Sequence, residues 1–253
     1  MAVELRGVTV TYRTDEGEFP AVNDVDLDLP TGVITGIVGE SGSGKSTLAL
    51  AVLGATTGSG RITAGTVHVD RVGDVTRLKP GRLRRVRGTD LSFVFQASQN
   101  SLNPLRPVGK QLLDLGRSHG VRDRRRLLRE AKELAERMGL DPHRVMTSYQ
   151  HELSGGMRQR VGIIFALVLG SPVLILDEPT TALDMISQSA VLSILRTLHE
   201  ERGLTTALVT HDIGIVAELT DRMVVMYAGR IVEEGPTGDV LTDPKHPYTQ
   251  GLV

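Results

Sequence analysis

The 253-residue chain contains no cysteine, no tryptophan and only four phenylalanines and four tyrosines. Without cysteine it can form no disulfide, no thiolate nucleophile and no cysteine-ligated metal or iron–sulfur site. So few aromatic side chains are poor material for stacking nucleobases. The net charge of −1 also differs from the distinctly basic balance of nucleic-acid binders. We therefore expect no nucleic-acid partner.

Long apolar runs are missing as well. The longest, residues 161–170, has ten residues, whereas a membrane-spanning helix needs roughly 20. The start of the chain, Met1–Arg6, lacks the basic-then-apolar pattern of a signal peptide. We expect a cytosolic chain, so any role in a membrane must come through a partner.

The patterns that are present indicate an α/β protein. Strand-like alternation fills the first forty residues, and short apolar strands alternate with helices from residue 173 onward, which favours a mainly parallel sheet covered on both faces. Residues 107–170 have helical spacing instead. The sequence predicts a core of 1–96 and 171–253 with an inserted helical lobe near 97–170. Predicted helices are Lys45–Leu53, Val108–Leu115, Arg124–Met138, Gly156–Leu169, Ile186–Glu201 and Ile213–Leu219.

A glycine-rich turn follows the apolar strand predicted at 33–38. Its residues are Gly39-Glu40-Ser41-Gly42-Ser43-Gly44-Lys45-Ser46, which fit the pattern of Gly, four residues, then Gly-Lys-Ser. The glycines let backbone N–H groups surround a phosphate at the positive end of a helix. Lys45 can then reach the β- and γ-phosphates, and the Ser46 hydroxyl is a hard ligand for Mg²⁺. The pattern predicts a nucleotide site.

A second acidic motif lies at the end of another buried strand. The apolar residues 173–176 are followed directly by Asp177 and Glu178. A carboxylate at such a strand end suits Mg²⁺, here through water. Glu178, one residue further, is placed to orient and deprotonate an attacking water. Together with the glycine-rich turn, this pair still allows a kinase, a GTPase or many ATPases.

A third segment distinguishes among these classes of nucleotide-binding protein. Leu153-Ser154-Gly155-Gly156-Met157-Arg158-Gln159-Arg160 resembles the Leu-Ser-Gly-Gly-Gln motif of ABC transporter ATP-binding subunits, from which Met157 departs. Ser154 and the glycine amides at the start of a helix are the groups that would hold a phosphate. The resemblance covers about residues 3–250. It implies a P-loop NTPase core with a mainly parallel sheet, an N-terminal antiparallel β subdomain and the inserted helical lobe.

The same resemblance assigns roles to further positions. Tyr12 corresponds to an aromatic that stacks on adenine, Gln96 to a residue that senses Mg²⁺ and the γ-phosphate, and His211 to a histidine that contacts the γ-phosphate. The segment Ala182-Leu183-Asp184 corresponds to a loop that contacts the opposite subunit. The nucleotide-binding set is Tyr12, Gly39, Ser41, Gly42, Ser43, Gly44, Lys45, Ser46, Thr47, Ser154, Gly155 and Gly156. The catalytic set is Lys45, Gln96, Glu178 and His211, and the metal set is Ser46, Gln96 and Asp177.

Mechanism and partners follow from the resemblance too. Two ATP molecules would lie in a head-to-tail dimer, each between Lys45 of one subunit and Ser154 of the other, and hydrolysis would reopen it. The implied partners are integral membrane permease subunits, a second ATP-binding subunit and, indirectly, an extracytoplasmic solute-binding protein. Residues near 97–117 would receive the permease. The expected location is the cytoplasmic face of the membrane, with peripheral attachment.

Three segments indicate a subfamily: Ser101–Pro104, Gly155–Arg160 and Pro244–Thr249 resemble importer ATPases for di- and oligopeptides or nickel. Such proteins often carry a longer C-terminal extension with a cysteine cluster. This chain stops at Val253 without cysteine, so a truncated form and a short, nickel-like type both stay open.

Two other classes also stay open: a soluble ABC ATPase not coupled to transport, and a regulatory subunit that binds ATP without hydrolysis. The basic runs 82–87 and 122–129 are interpreted as solvated helix faces.

Overall fold

The computed structural model describes residues 1–15, 17–95, 102–180 and 184–253, and only the backbone of Ile186. The chain forms two compact units, the first of residues 1–86 and 203–253 and the second of residues 87–202. These limits differ from the predicted division at 96/97 and 170/171, because two strands group with the helices of the second unit. The predicted division stays a prediction.

The first unit contains an antiparallel sheet. Its strands are β1 (Val3–Thr14), β2 (Gly17–Leu29), β4 (Arg61–Val69) and β5 (Gly73–Asp74), in the order β2-β1-β4-β5. Val3, Leu5 and Val8 of β1 are fully buried, so the apolar side chains that predict the strand form its core face. This sheet is the predicted N-terminal antiparallel subdomain.

The first unit also contains a set of mainly parallel strands. Strand β3 (Ile34–Val38) pairs in parallel with β8 (Thr205–Val209) and with β9 (Arg222–Tyr227), whereas β10 (Arg230–Pro236) is antiparallel to β9. Every residue of β3 and β8 is buried. Helices α1 (Lys45–Val52) and α8 (Ile213–Leu219) follow β3 and β8, and α9 (Thr237–Thr242) and α10 (Pro247–Leu252) come last. The carboxyl ends of β3, β8 and β9 therefore share one edge.

The second unit combines two parallel strands with a group of helices. The strands are β6 (Leu91–Val94) and β7 (Val173–Asp177). The helices are α3 (Val108–Ser118), α4 (Arg124–Arg137), α5 (Pro142–Thr147), α6 (Gly155–Leu167) and α7 (Met185–Arg202). Fully buried Leu112, Leu134, Met138, Ile163 and Ile164 form much of its core.

A further helix, α2 (Pro80–Thr89), is broken near its end at Gly88, where φ is 104°. The six predicted helices are confirmed as α1, α3, α4, α6, α7 and α8, with ends that shift by at most three residues. Among the described residues, no helix combines the length and apolar character needed to cross a membrane.

Candidate functional site

The glycine-rich turn, residues 39–46, leads from β3 into α1 and is called the phosphate loop below. Two of its glycines are required by close backbone approaches. Gly39 has φ 148°, and a Cβ there would lie 2.2 Å from the carbonyl oxygen of Met226. Gly44 has φ 99°, and a Cβ there would lie 2.3 Å from the carbonyl oxygen of Ala21. No other residue type fits either position, because both clashes are with backbone.

Lys45 fills the inside of the phosphate loop. The side chain is buried, with 6% exposed. Its Nζ donates hydrogen bonds to the carbonyl oxygens of Gly39 (2.8 Å) and Glu40 (2.7 Å) and to Ser43 Oγ (3.3 Å). The loop is also held from outside, since the Gly229 N–H donates to the Ser43 carbonyl at 3.0 Å. A buried cation at a helix start, held by neutral carbonyls, is suited to exchange them for phosphate oxygens.

His211 lies at the same sheet edge as the phosphate loop. Ile37 of β3 pairs with Val209 of β8, and Gly39 and His211 each lie two residues beyond that pair. The His211 side chain is exposed, and the next residue, Asp212, caps α8 by accepting the N–H of Ile215 at 3.2 Å. The structure thus brings this predicted residue beside the phosphate loop, within the first unit.

Tyr12 lies near the end of β1. Its hydroxyl shares a hydrogen bond with Thr57 Oγ1 at 3.1 Å. Its ring lies against Gly60, where a Cβ would be 2.8 Å from the ring. These contacts fix the ring in one orientation, as a stacking platform requires. The adenine contact itself stays a prediction.

In the second unit, Asp177 is the last residue of strand β7 and Glu178 follows it directly, as the sequence predicts for a strand end. Asp177 is buried, with 5% exposed. Glu178 has φ 46°, a left-handed conformation that costs a non-glycine residue about 1–3 kcal/mol and that concentrates at functional sites. The buried Gln159 of α6 donates its side-chain N–H to the Pro179 carbonyl oxygen. Helix α6 therefore holds the turn that carries Glu178, a role of Gln159 that the motif match did not predict.

Ser154 lies directly before helix α6, at its N-cap position. Its side-chain Oγ accepts the N–H of Met157 at 3.3 Å, so the serine is a conventional N-cap. Gly155 and Gly156 form the first helical residues. The side chain of Arg158 supports the turn by donating from Nε to the carbonyl oxygens of Gln150 and Leu153, both at 3.0 Å. Contact of this segment with a phosphate stays a prediction.

Three predicted positions, Gln96, Ala182 and Leu183, lie outside the described residues. Their neighbour Asp184 is described, and it accepts hydrogen bonds from the Ser187 N–H (2.9 Å) and hydroxyl (2.7 Å) at the start of α7. Within the described ranges, no group of three or more His, Cys, Asp or Glu side chains is placed to hold a metal ion.

Comparison with known proteins places the chain in a family. Residues 22–181 match the family model described as ABC transporter. A protein of Brucella melitensis named as a peptide import ATP-binding protein is 42% identical over 257 residues, which cover 99% of this chain and 76% of that protein. The dipeptide transport ATP-binding protein of Haemophilus influenzae is 37% identical over 252 residues, with the same coverages of 99% and 76%.

Solved structures agree with this result. The dimeric structure of the bacterial ABC transporter cassette MJ0796 matches with a TM-score of 0.80 and 31% identity, over 93% of this chain and 98% of that one. The same cassette in a post-hydrolysis state, bound to ADP and Pi, matches equally well. With the phosphate loop and the end of β7 built as described, the chain belongs to the ABC transporter family and is one of its ATP-binding, ATP-hydrolysing cassettes.

Proposed function

We propose that the chain is the ATPase subunit that powers peptide import through an ABC transporter. The observation that carries this proposal is the buried Lys45 inside a glycine loop at the β3 edge, in a chain whose relatives are named for peptide and dipeptide transport. Those names favour peptide over nickel as the cargo, and the nickel branch stays a prediction from the sequence.

Binding begins at the phosphate loop. Lys45 exchanges the carbonyl oxygens of Gly39 and Glu40 for oxygens of the β- and γ-phosphates. The exchange replaces a neutral acceptor by a negatively charged one, which adds Coulomb attraction to each hydrogen bond. The backbone N–H groups at the start of α1 surround the same phosphates. Tyr12 stacks on the base, and His211 contacts the γ-phosphate from the end of β8.

Hydrolysis is assigned to Glu178. Its carboxylate takes the proton of the attacking water. Its backbone has φ 46°, a strained conformation of the kind that concentrates at functional sites. Ser46 and the buried Asp177 offer hydroxyl and carboxylate oxygens, the donor types that Mg²⁺ prefers. When bound with ATP, Mg²⁺ neutralises phosphate charge.

We propose that two such chains close head to tail over two ATP molecules. The solved MJ0796 cassette is dimeric, which supports the dimer part of this proposal. We further propose that permease subunits provide the path for the peptide, that a solute-binding protein delivers it, and that this chain attaches peripherally at the cytoplasmic face.

The enzymatic part is tested with Glu178→Gln. Glutamine keeps the shape of glutamate but cannot accept the proton of water at neutral pH. We expect a loss of turnover of at least about 100-fold, with ATP binding retained and an ATP-dependent shift from monomer to dimer in size-exclusion chromatography. Asp177→Asn weakens the metal site, so this variant should lose both turnover and the ATP-dependent dimer. Turnover of Glu178→Gln at the native rate would contradict the role of Glu178 as the base.

Coupling to transport needs a separate experiment. The tagged chain, purified from detergent-solubilised membranes of its own host, should bring integral membrane subunits with it. Peptide together with its solute-binding protein should then stimulate ATP hydrolysis by that complex. Active ATPase recovered without any membrane subunit would favour the alternative of an ABC ATPase not coupled to transport.

A further inference from the structure

The second residue of the phosphate loop is held by the C-terminal segment of the chain. The Glu40 N–H donates a hydrogen bond to the hydroxyl of Tyr248 at 2.9 Å, across 208 positions of sequence. The Gly39 carbonyl, which belongs to the same peptide group, accepts a hydrogen bond from Lys45 Nζ at 2.8 Å. Because a peptide group is planar, these two contacts fix the orientation of one plane from both of its ends.

Tyr248 is itself fixed by packing. Its ring centroid lies 4.5 Å from that of Tyr227. Tyr248 also packs against a buried cluster in the first unit that includes Val38, the residue directly before Gly39. The hydroxyl is therefore presented to the phosphate loop by the same apolar core that supports the end of β3.

The segment that carries Tyr248 has its own anchor. Glu233 of β10 accepts the N–H groups of Lys245 and His246 at 2.8 and 2.9 Å. Burial raises the pKa of Glu233, but the hydrogen bonds from these two N–H groups and the nearby His246 lower it more, so the pKa lies below its ordinary value. The carboxylate is therefore ionised at neutral pH, where it fixes the start of α10.

We propose that Tyr248 is a positioning residue for ATP binding: its hydroxyl holds the Gly39–Glu40 peptide group in the orientation that the phosphate loop needs. The proposal rests on the proposed function, because it takes the phosphate loop as the ATP site. Without the hydroxyl, the peptide group can rotate, and the loop must be ordered when the nucleotide arrives. Ordering a loop on binding lowers affinity even when no ligand contact is lost.

The test compares Tyr248→Phe with the matched control Tyr227→Phe. Each removes one hydroxyl from one of the two neighbouring rings, and only the first breaks the bond to Glu40. We expect the KM for ATP of Tyr248→Phe to rise about three- to tenfold, the effect of one hydrogen bond. The kcat should stay within about twofold, since Glu178 and the end of β7 are untouched. Tyr227→Phe should match the native chain in both constants.

Amide hydrogen exchange provides a second measurement, which reports directly on the Glu40 N–H. The Glu40 N–H should exchange faster in Tyr248→Phe than in the native chain and in Tyr227→Phe. Because coupling between two sites is reciprocal, saturating ATP should slow exchange over residues 247–252 in the native chain and less so in Tyr248→Phe. A KM unchanged by Tyr248→Phe, or raised equally by both variants, would overturn the proposal.

Failure of this inference can be told from failure of the proposed function. Lys45→Ala is measured in parallel, because it tests whether the phosphate loop binds ATP at all. If Lys45→Ala abolishes binding while Tyr248→Phe changes nothing, the loop is the ATP site and Tyr248 does not position it. If Lys45→Ala binds ATP normally, the ATP site itself is wrongly placed and both proposals fall.

Discussion

Two helices, one in each unit, begin at glycine-rich segments that resemble each other in sequence and differ in construction. Helix α1 follows Gly44, whose φ is 99°, and among the described residues no side-chain hydrogen bond caps it. Helix α6 follows Ser154, whose hydroxyl accepts the Met157 N–H as an N-cap. Neither helix has an acidic residue in its first turn.

The difference predicts that the start of α1, rather than the start of α6, is built to receive an anion. The positive end of a helix dipole disfavours a cation such as Lys45 in the first turn. The chain nevertheless buries that cation there and surrounds it with backbone carbonyls, an arrangement that a phosphate would improve. At the start of α6 the Ser154 hydroxyl already accepts the Met157 N–H, one of the four N–H groups that a helix start leaves without an intrahelical partner. A phosphate that bound the Met157 N–H or the Ser154 hydroxyl would have to share or displace that hydrogen bond.

The first prediction concerns Lys45 at the start of α1, where a substitution should cause the greatest loss of activity. Lys45→Ala removes the buried cation, and we expect ATP hydrolysis to fall by at least about 100-fold, with ATP binding strongly weakened. Steady-state ATPase assays and equilibrium ATP titration measure the two losses. Lys132→Ala on α4 removes an exposed lysine and should leave both values unchanged. Native turnover in Lys45→Ala would contradict the prediction that the start of α1 is built to bind phosphate.

The second prediction concerns Ser154 at the start of α6. Two substitutions there separate helix capping, which affects stability, from phosphate binding, which affects hydrolysis. Ser154→Ala loses the cap and should lower the free energy of unfolding by about 1 kcal/mol. Ser154→Asp keeps a good cap but places a negative charge where the phosphate would lie. We expect its stability to stay near native while ATP-dependent dimer formation and hydrolysis are lost. Native hydrolysis by Ser154→Asp, measured beside its denaturant unfolding curve, would show that Ser154 is a cap only.

The third prediction is a small change in stability with pH, and it concerns the start of helix α5. Asp141 caps α5, and the hydrogen bond that it accepts from the Arg144 N–H, followed by that from His143, holds its pKa below the ordinary value. A depressed pKa means that this stabilisation is complete above about pH 3.9 and is lost as the pH falls further. Asparagine caps as well and does not titrate.

Denaturant unfolding between pH 5 and pH 2.5 compares the native chain with Asp141→Asn. The native chain should lose stability relative to the variant only below about pH 4. Parallel curves for the two proteins would contradict the assigned cap. The serine cap of α6 contributes no such pH dependence, because its hydroxyl does not titrate in this range.

The parts of the site that could be predicted are those encoded by local signals. The apolar run of β3, the glycines after it and the start of α1 at Lys45 all follow from neighbouring residues. The first residues of strand β2, 17–20, are exposed and carry no apolar pattern, and they are held in the strand by pairing with β1. Pairing with another strand is invisible to a reading of one segment.

Two kinds of feature were not predicted from the sequence: short helices and contacts between distant segments. Helices α5 and α10 have only six residues each, too few for an apolar period, although Pro142 and Pro247 at their starts are local signals that could have found them. The contacts of Tyr248 with Glu40 and of Gln159 with Pro179 join distant segments. Tertiary packing decides such contacts, so only the folded chain reveals them.

The left-handed backbone of Glu178 has a consequence for laboratory evolution. Glycine adopts φ 46° without steric strain, so Glu178→Gly should relieve strain on the order of 1 kcal/mol. It would also remove the proposed base. A library screened only for heat tolerance would therefore accumulate glycine at position 178, while a library screened for growth on imported peptide would reject it.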